Sequence, residues 1–264
     1  MEAMNALHRR PERRNRKIGT AASGYGQSNK MTIPNSRLDR FGLESRYQER
    51  VEPASVERVR IGDADIAILF EESRPGFTYG CTPKDVVHLL SRVPDGHCDL
   101  IDLIIFRQPT QKQSQLHSVW GSMLYLATIG DRTGTAIILE AQEAGRSRQW
   151  KRKMSLETQA EFQRLRDDGH LIVESKRGFT ITPTEETIRN TILYRTLLHE
   201  LGHWQQFERE ALDDTTALSD DPDVACDLYF AKPSVEREQF AHRYAAEVGD
   251  LLRRKGAIPF ERRS

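Results

Sequence analysis

His199-Glu200-Leu201-Gly202-His203 places two imidazoles and one carboxylate within five residues. On a helix, residues four apart lie on one face one turn apart, so His199 and His203 can hold one metal ion between them. Glu200, beside them, is placed to take the proton from a metal-activated water as that water attacks a carbonyl carbon. Zinc used in this way takes three protein ligands and keeps one position open, so a third ligand has to come from elsewhere in the chain.

A His six residues beyond the second motif His, as in the metzincins, is excluded, because that position is Arg209 and Gln206 stands where their Gly would be. A Glu on a later helix is the alternative, and the segment from Ser234 to Glu247 supplies one, with Ser234 read as its cap and Pro233 at its approach. Within it Glu238 is favoured over Glu236. Ala241 and Ala245 follow Glu238 at three and seven residues, so small side chains share its face and let two helices approach around a metal. His242, four residues on, can hydrogen-bond a ligand and fix its orientation. For the donor that an oxyanion needs, Tyr244, His242, Tyr229 and Tyr194 are all candidates, and spacing does not choose among them.

These residues need a helix to position them. Thr182-Pro183-Thr184-Glu185 has the form of a capping box with Pro in the first turn, which predicts a helix start at Thr182. Ile188, Ile192, Leu193, Leu197, Leu198 and Leu201 then recur at spacings of three and four, giving an apolar face that runs past the motif to about Phe207. Histidines on a helix buried along one side are costly unless bonded, and a metal with its supporting groups satisfies them.

His199-Glu200-Leu201-Gly202-His203-Trp204 followed by Glu238-x-x-Ala241-x-x-Tyr244-Ala245 resembles the ImmA/IrrE type of small gluzincin, whose helices read like HELGH and E-x-x-A-x-x-F-A. The match covers mainly residues 182–250. The resemblance implies a zincin fold, with a helix, a short mixed sheet and the motif helix, and a zinc peptidase activity that in several relatives cleaves a regulatory protein. The chain departs from that pattern in three places. His242 stands where family members often have Asn, the gap between His203 and Glu238 is long and acidic, and no helix-turn-helix of the repressor type precedes the motif.

Upstream, residues 1–50 form a basic arm, rich in Arg and then in Gly, Ser and Asn, with little apolar periodicity; they are expected to be largely disordered. The remainder, 51–264, is expected to be one α+β, zincin-like metallopeptidase domain, a small mixed sheet packed on the motif helix and a C-terminal helix. Val59 to Phe70 reads as a strand, and Thr82-Pro83-Lys84-Asp85 starts a helix that runs to about Arg92. Asp99 to Phe106, Ser122 to Ile129 and Thr135 to Leu139 read as three strands of one sheet, with a long loop over Gln108 to His117. An edge strand of that sheet would bind an extended substrate by backbone hydrogen bonds. An insertion at about 145–182 reads as a helix capped by Ser155 and a hairpin around Lys176-Arg177-Gly178. Its favoured role is to extend the sheet or wall the cleft. It also has the outline of half a winged helix, preceded by Arg146, Arg148, Lys151, Arg152 and Lys153.

Lys+Arg and Asp+Glu both number 39, so no global field favours nucleic acid; the charge is local, basic in the arm and acidic over 208–227. Three cysteines without CxxC spacing suggest neither a disulfide framework nor a thiolate zinc site, and point to a reducing compartment. No apolar run approaches a membrane span or a signal-peptide core. The expectation is therefore a cytoplasmic zinc metallopeptidase acting on a protein or peptide. In it His199, His203 and Glu238 bind zinc, Glu200 is the general base, and His242 and Tyr244 are supporting or oxyanion candidates. The alternative is a non-catalytic metal-binding or regulatory interaction module whose basic arm contacts nucleic acid.

Overall fold

Gly62, with φ +59°, and Asp63 turn the chain back between two apolar runs, so what reads as one strand from Val59 to Phe70 is a tight hairpin. Its strands are β1 (Ser55–Ile61) and β2 (Ala64–Phe70). The computed structural model describes residues 47–116, 119–213 and 216–263; residues 1–46 of the basic arm, and Asp214 of the acidic stretch, lie outside them. A short strand β3 (Phe77–Thr78) leads to α1 (Pro83–Leu90), where Thr82 and Asp85 close the predicted capping box. Strand β4 (Leu103–Arg107), the short helix α2 (Gln111–Leu116), β5 (Gly121–Ile129), β6 (Arg132–Glu140) and β7 (Gln142–Glu143) follow.

The main sheet has the order β1-β2-β4-β6-β5, and β7 pairs with β3 apart from it. Parallel pairing of β2 with β4 and of β4 with β6 is flanked by antiparallel pairs at both ends, so the sheet is mixed and β5 is an edge. One face carries Ile66, Ile68, Ile104, Phe106, Ile137 and Leu139, all buried in the core against the helices. The other face carries a smaller buried cluster that includes Leu69, Ile105 and Ile138. Arg107 and Glu140, partners in register across β4 and β6, form a fully buried ion pair at 2.6 Å.

The insertion is a unit of its own. Strand β8 (Arg148–Lys151), helix α3 (Leu156–Asp167) and the hairpin β9 (Leu171–Ser175) and β10 (Gly178–Thr182) make a separate sheet of order β8-β10-β9. It therefore does not extend the main sheet. Phe162, Leu165 and Ile181 are its core.

The next helix, α4 (Glu185–Thr191), begins two residues later than the sequence predicts. Thr184, not Thr182, is the N-cap, and it forms its capping box with Thr187. A π turn over Ile192–Thr196 joins α4 to the motif helix α5 (Leu197–Phe207), the Leu197 N–H reaching back to the Ile192 carbonyl. A second π turn, Glu208–Leu212, closes it. The acidic stretch then contains a helix that the charge pattern hides, α6 (Pro222–Ala231), capped by Asp221 with Pro222 in its first turn. The C-terminal helix is α7 (Ser234–Arg254); Pro233 occupies the N-cap, so Ser234 is inside the helix and does not cap it. No described helix is long and apolar enough to cross a membrane.

Candidate metal centre

Helix α5 crosses α7 at Gly202. A Cβ built on that glycine would lie 3.0 Å from the Ala241 Cα and 3.1 Å from the Ala241 carbonyl oxygen, so the two backbones meet with nothing between them. Trp204, fully buried, pins the same helix by donating its indole N–H to the Asp99 carbonyl at 2.9 Å. On the face turned from this contact toward an open cleft, His199 and His203 present their Nε2 atoms to each other at 3.1 Å. The Glu238 carboxylate of α7 meets both, Oε2 at 3.3 Å from His199 Nε2 and Oε1 at 3.5 Å from His203 Nε2.

These spacings suit a cation. A tetrahedral ion with bonds of about 2.0–2.1 Å holds its ligand atoms about 3.3 Å apart, the mean of the three separations seen. Hydrogen bonding to His199 and His203 keeps the Glu238 carboxyl well below the usual carboxylate range, so it is anionic.

His242 stands one turn beyond Glu238 and tilts its ring over His199 at 4.3 Å. Its Nε2 is 4.0 Å from Glu238 Oε2, too far for the hydrogen bond expected of it. Donor atoms of His199, Glu238 and His242 nevertheless lie within 4.8 Å of one another, a group that could hold a metal ion. His199 Nδ1 is buried without a hydrogen-bond partner, so this imidazole is oriented by its Nε2 contacts and by ring packing. Burial pushes the His242 imidazole down to about 4.

Glu200 points from α5 toward the edge strand. It is almost fully buried and accepts a hydrogen bond from the Met123 backbone, and burial raises its pKa above the ordinary carboxylate value. The close approach depends on Gly121 at the start of β5, where a Cβ would fall 2.7 Å from Thr196 Cγ2 and 3.6 Å from Glu200 Cγ. Glu200 thus stands between the histidine pair and the backbone of a strand whose outer edge pairs with no other strand among the described residues.

The tyrosines expected as oxyanion donors are elsewhere. Tyr244 belongs to the buried face of α7 that packs on α5, with Ala241 and Ala245, and its Oη meets His97 Nδ1 at 2.6 Å; it does not line the cleft. Tyr194 donates to the Phe260 carbonyl, and Tyr229 pairs with Tyr125 at 2.8 Å beneath the surface. Of the four candidates only His242 reaches the cleft.

The cleft holds about 1500 Å³. Trp120, Gly121 and Met123 of the β5 end line one side, Trp150, Glu157 and Arg164 of the insertion another, and the first turns of α7 a third. The insertion therefore walls the cleft, as one of its two expected roles required. It is tied to the helix ahead of the motif by Arg195, which bonds Asp168 at 2.7 Å and Glu161 at 3.2 Å. The Met123 backbone and the aromatic walls escape a reading by motif, since only strand pairing brings them to the histidines; the adjacent Trp120-Gly121 was the available signal. Comparison of the chain with family models, with curated proteins and with solved structures found no match, so its function has to be argued from the chemistry of these residues.

Proposed function

We propose that the chain is a cytoplasmic zinc-dependent metallopeptidase with a zincin-like fold of the ImmA/IrrE gluzincin type, hydrolysing peptide bonds in a protein substrate. The observation that carries this reading is the convergence of His199, His203 and Glu238 to 3.1–3.5 Å beside a buried Glu200 on the floor of an open cleft. His199, His203 and Glu238 would hold the zinc. Once bound, zinc supplies a Lewis acid for the scissile carbonyl and lowers the pKa of its water toward about 7.

The chain's own groups do the rest. Glu200 takes the proton of the attacking water and passes it to the leaving amine. The Met123 N–H holds the Glu200 carboxylate in place. Strand β5 supports the reading further, because its outer edge can pair with an extended polypeptide and lay the scissile bond across the histidines. Of the four candidate oxyanion donors, His242 is the one that lines the cleft.

The test combines two measurements on the purified protein. Zinc should be present at one equivalent and be lost in Glu238→Ala. Cleavage of a mixed peptide pool, read by mass spectrometry, should disappear in Glu200→Gln while zinc stays bound. Absence of zinc, or full cleavage by Glu200→Gln, would sink the proposal.

A further inference from the structure

Arginines in the cleft differ in what holds them. Arg146 bonds Glu143 at 2.7 Å, Arg164 bonds Glu161 at 2.8 Å, and Arg195 bonds Asp168 at 2.7 Å, so each is neutralised within the fold. Arg148 is engaged by Gln142. Arg237, the residue before Glu238, is different. Among the described residues no carboxylate lies within 4.0 Å of it, and its Nε is buried without a hydrogen-bond partner. Its guanidinium rests on an aromatic platform, 5.6 Å from the Tyr229 ring centre and 6.0 Å from that of Phe230, with a hydrogen bond to Tyr229.

This is a costly way to keep a cation. A guanidinium stays charged at all working pH values, and a platform that removes water from one face without supplying an anion leaves part of its desolvation uncompensated. The rings also fix its plane, which lowers the entropy lost when a bidentate partner arrives. The residue lines the cleft and neighbours a proposed metal ligand in sequence. Its missing partner is therefore an anion that enters with whatever the cleft binds.

We propose that Arg237 is a specificity subsite that takes a carboxylate of the bound polypeptide, from an acidic side chain or from a chain terminus. The proposal rests on the peptidase reading, which supplies a polypeptide to the cleft. A carboxylate held by a fork of charged donors gains the strength of charge-assisted bonds, on the order of a tenfold or greater preference over its amide. The subsite selects substrates and takes no part in bond cleavage.

Peptide hydroxamates test this, because the hydroxamate reports the metal and the rest of the probe reports the subsite. Three are needed: a neutral peptide amide, the same peptide with a free C-terminal carboxylate, and an amide with one Glu in place of an apolar residue. Binding to the zinc-loaded protein is measured by calorimetry for wild type, Arg237→Gln and Arg237→Lys. The expected result is that one anionic probe binds wild type about tenfold or more tighter than the neutral one. That advantage should vanish in Arg237→Gln and shrink in Arg237→Lys, while neutral-probe affinity holds within about twofold. Which anionic probe gains identifies the source of the carboxylate. Equal binding of all probes to wild type, or an equal loss for all probes in Arg237→Gln, overturns the inference and leaves the peptidase reading standing. Failure of every hydroxamate to bind overturns both.

Discussion

Gly202 and Ala241 touch backbone to backbone, and this contact sets the distance between the helix that carries the histidines and the helix that carries Glu238. Gly202→Val forces the helices apart. Overpacking of this kind costs about 1–3 kcal/mol, and the carboxylate should withdraw from the 3.3 and 3.5 Å it keeps from the histidines. Thermal unfolding and zinc competition with a chelator should both show the loss. Unchanged zinc affinity in a destabilised Gly202→Val would mean that Glu238 is not a ligand.

Glu200 carries a conflict between stability and chemistry. Its carboxyl is buried, its pKa is raised by desolvation, and Met123 supplies a backbone hydrogen bond that a Gln carbonyl can equally accept. In the metal-free protein at neutral pH, Glu200→Gln removes a buried charge and should raise the unfolding midpoint, by about 2–4 °C per kcal/mol gained. A lower midpoint would show that the ionised carboxylate is stabilised by contacts other than the Met123 N–H.

The imidazole of His170, outside the proposed ligand set, predicts acid sensitivity of the fold. It is buried, bonds Thr191 through Nε2 at 2.9 Å, and leaves Nδ1 without a partner. Burial pushes its pKa down to about 4, with Arg195 and Arg148 opposing the charge and Glu161 favouring it. A depressed folded pKa means that the unfolded chain binds the proton first. Stability is thus complete above about pH 6.5 and falls as pH drops from 6.5 toward 4, by on the order of 3 kcal/mol for this group. Urea unfolding across that window should show a steeper slope for wild type than for His170→Gln. Parallel profiles would refute the assignment.

Arg107 and Glu140 are both under 5% exposed in their side chains, at 4% and 3%, and face each other at the C-terminal ends of the parallel strands β4 and β6. Breaking such a pair leaves one buried charge uncompensated, so Glu140→Ala or Arg107→Ala should each cost about 3–5 kcal/mol. The joint replacement by apolar residues of similar volume should cost much less. Denaturant midpoints of the three proteins decide it, and a double replacement as damaging as either single one would count against the pair.

Local signals carried much of this arrangement, and non-local ones carried the rest. Ala241 and Ala245 were legible as a close-packing face, and the structure puts Gly202 against Ala241. The strands around Ile104, Leu124 and Ile137 were legible as one sheet, since apolar runs between turn formers have few other uses. Their order was not. That β5 is an edge beside Glu200 follows from pairing across distant residues, which no window of sequence contains. The hairpin at Gly62 was missed because apolar residues continue on both sides of it, and α6 because its charges suggested a solvated loop despite Asp221 and Pro222 at its start. Tyr244 was misplaced because offsets from Glu238 alone do not tell which face α7 buries.

The π turns that bracket the motif helix make its angular phase a separate variable. Each adds a residue to a turn, as a single insertion into a regular helix does, and shifts everything beyond it by about 100° around the axis. The apolar stripe of α4 and the histidine pair of α5 thus belong to one rod with two phases. Deleting one residue between Ile192 and Thr196 would leave a longer, more regular helix of nearly the same composition. His199 and His203 would then keep their face toward Glu238, because losing the residue and losing the wide turn cancel; closing the turn into regular α-helix with every residue kept would instead swing both by about 100°, so that an irregularity in hydrogen bonding aims the ligands.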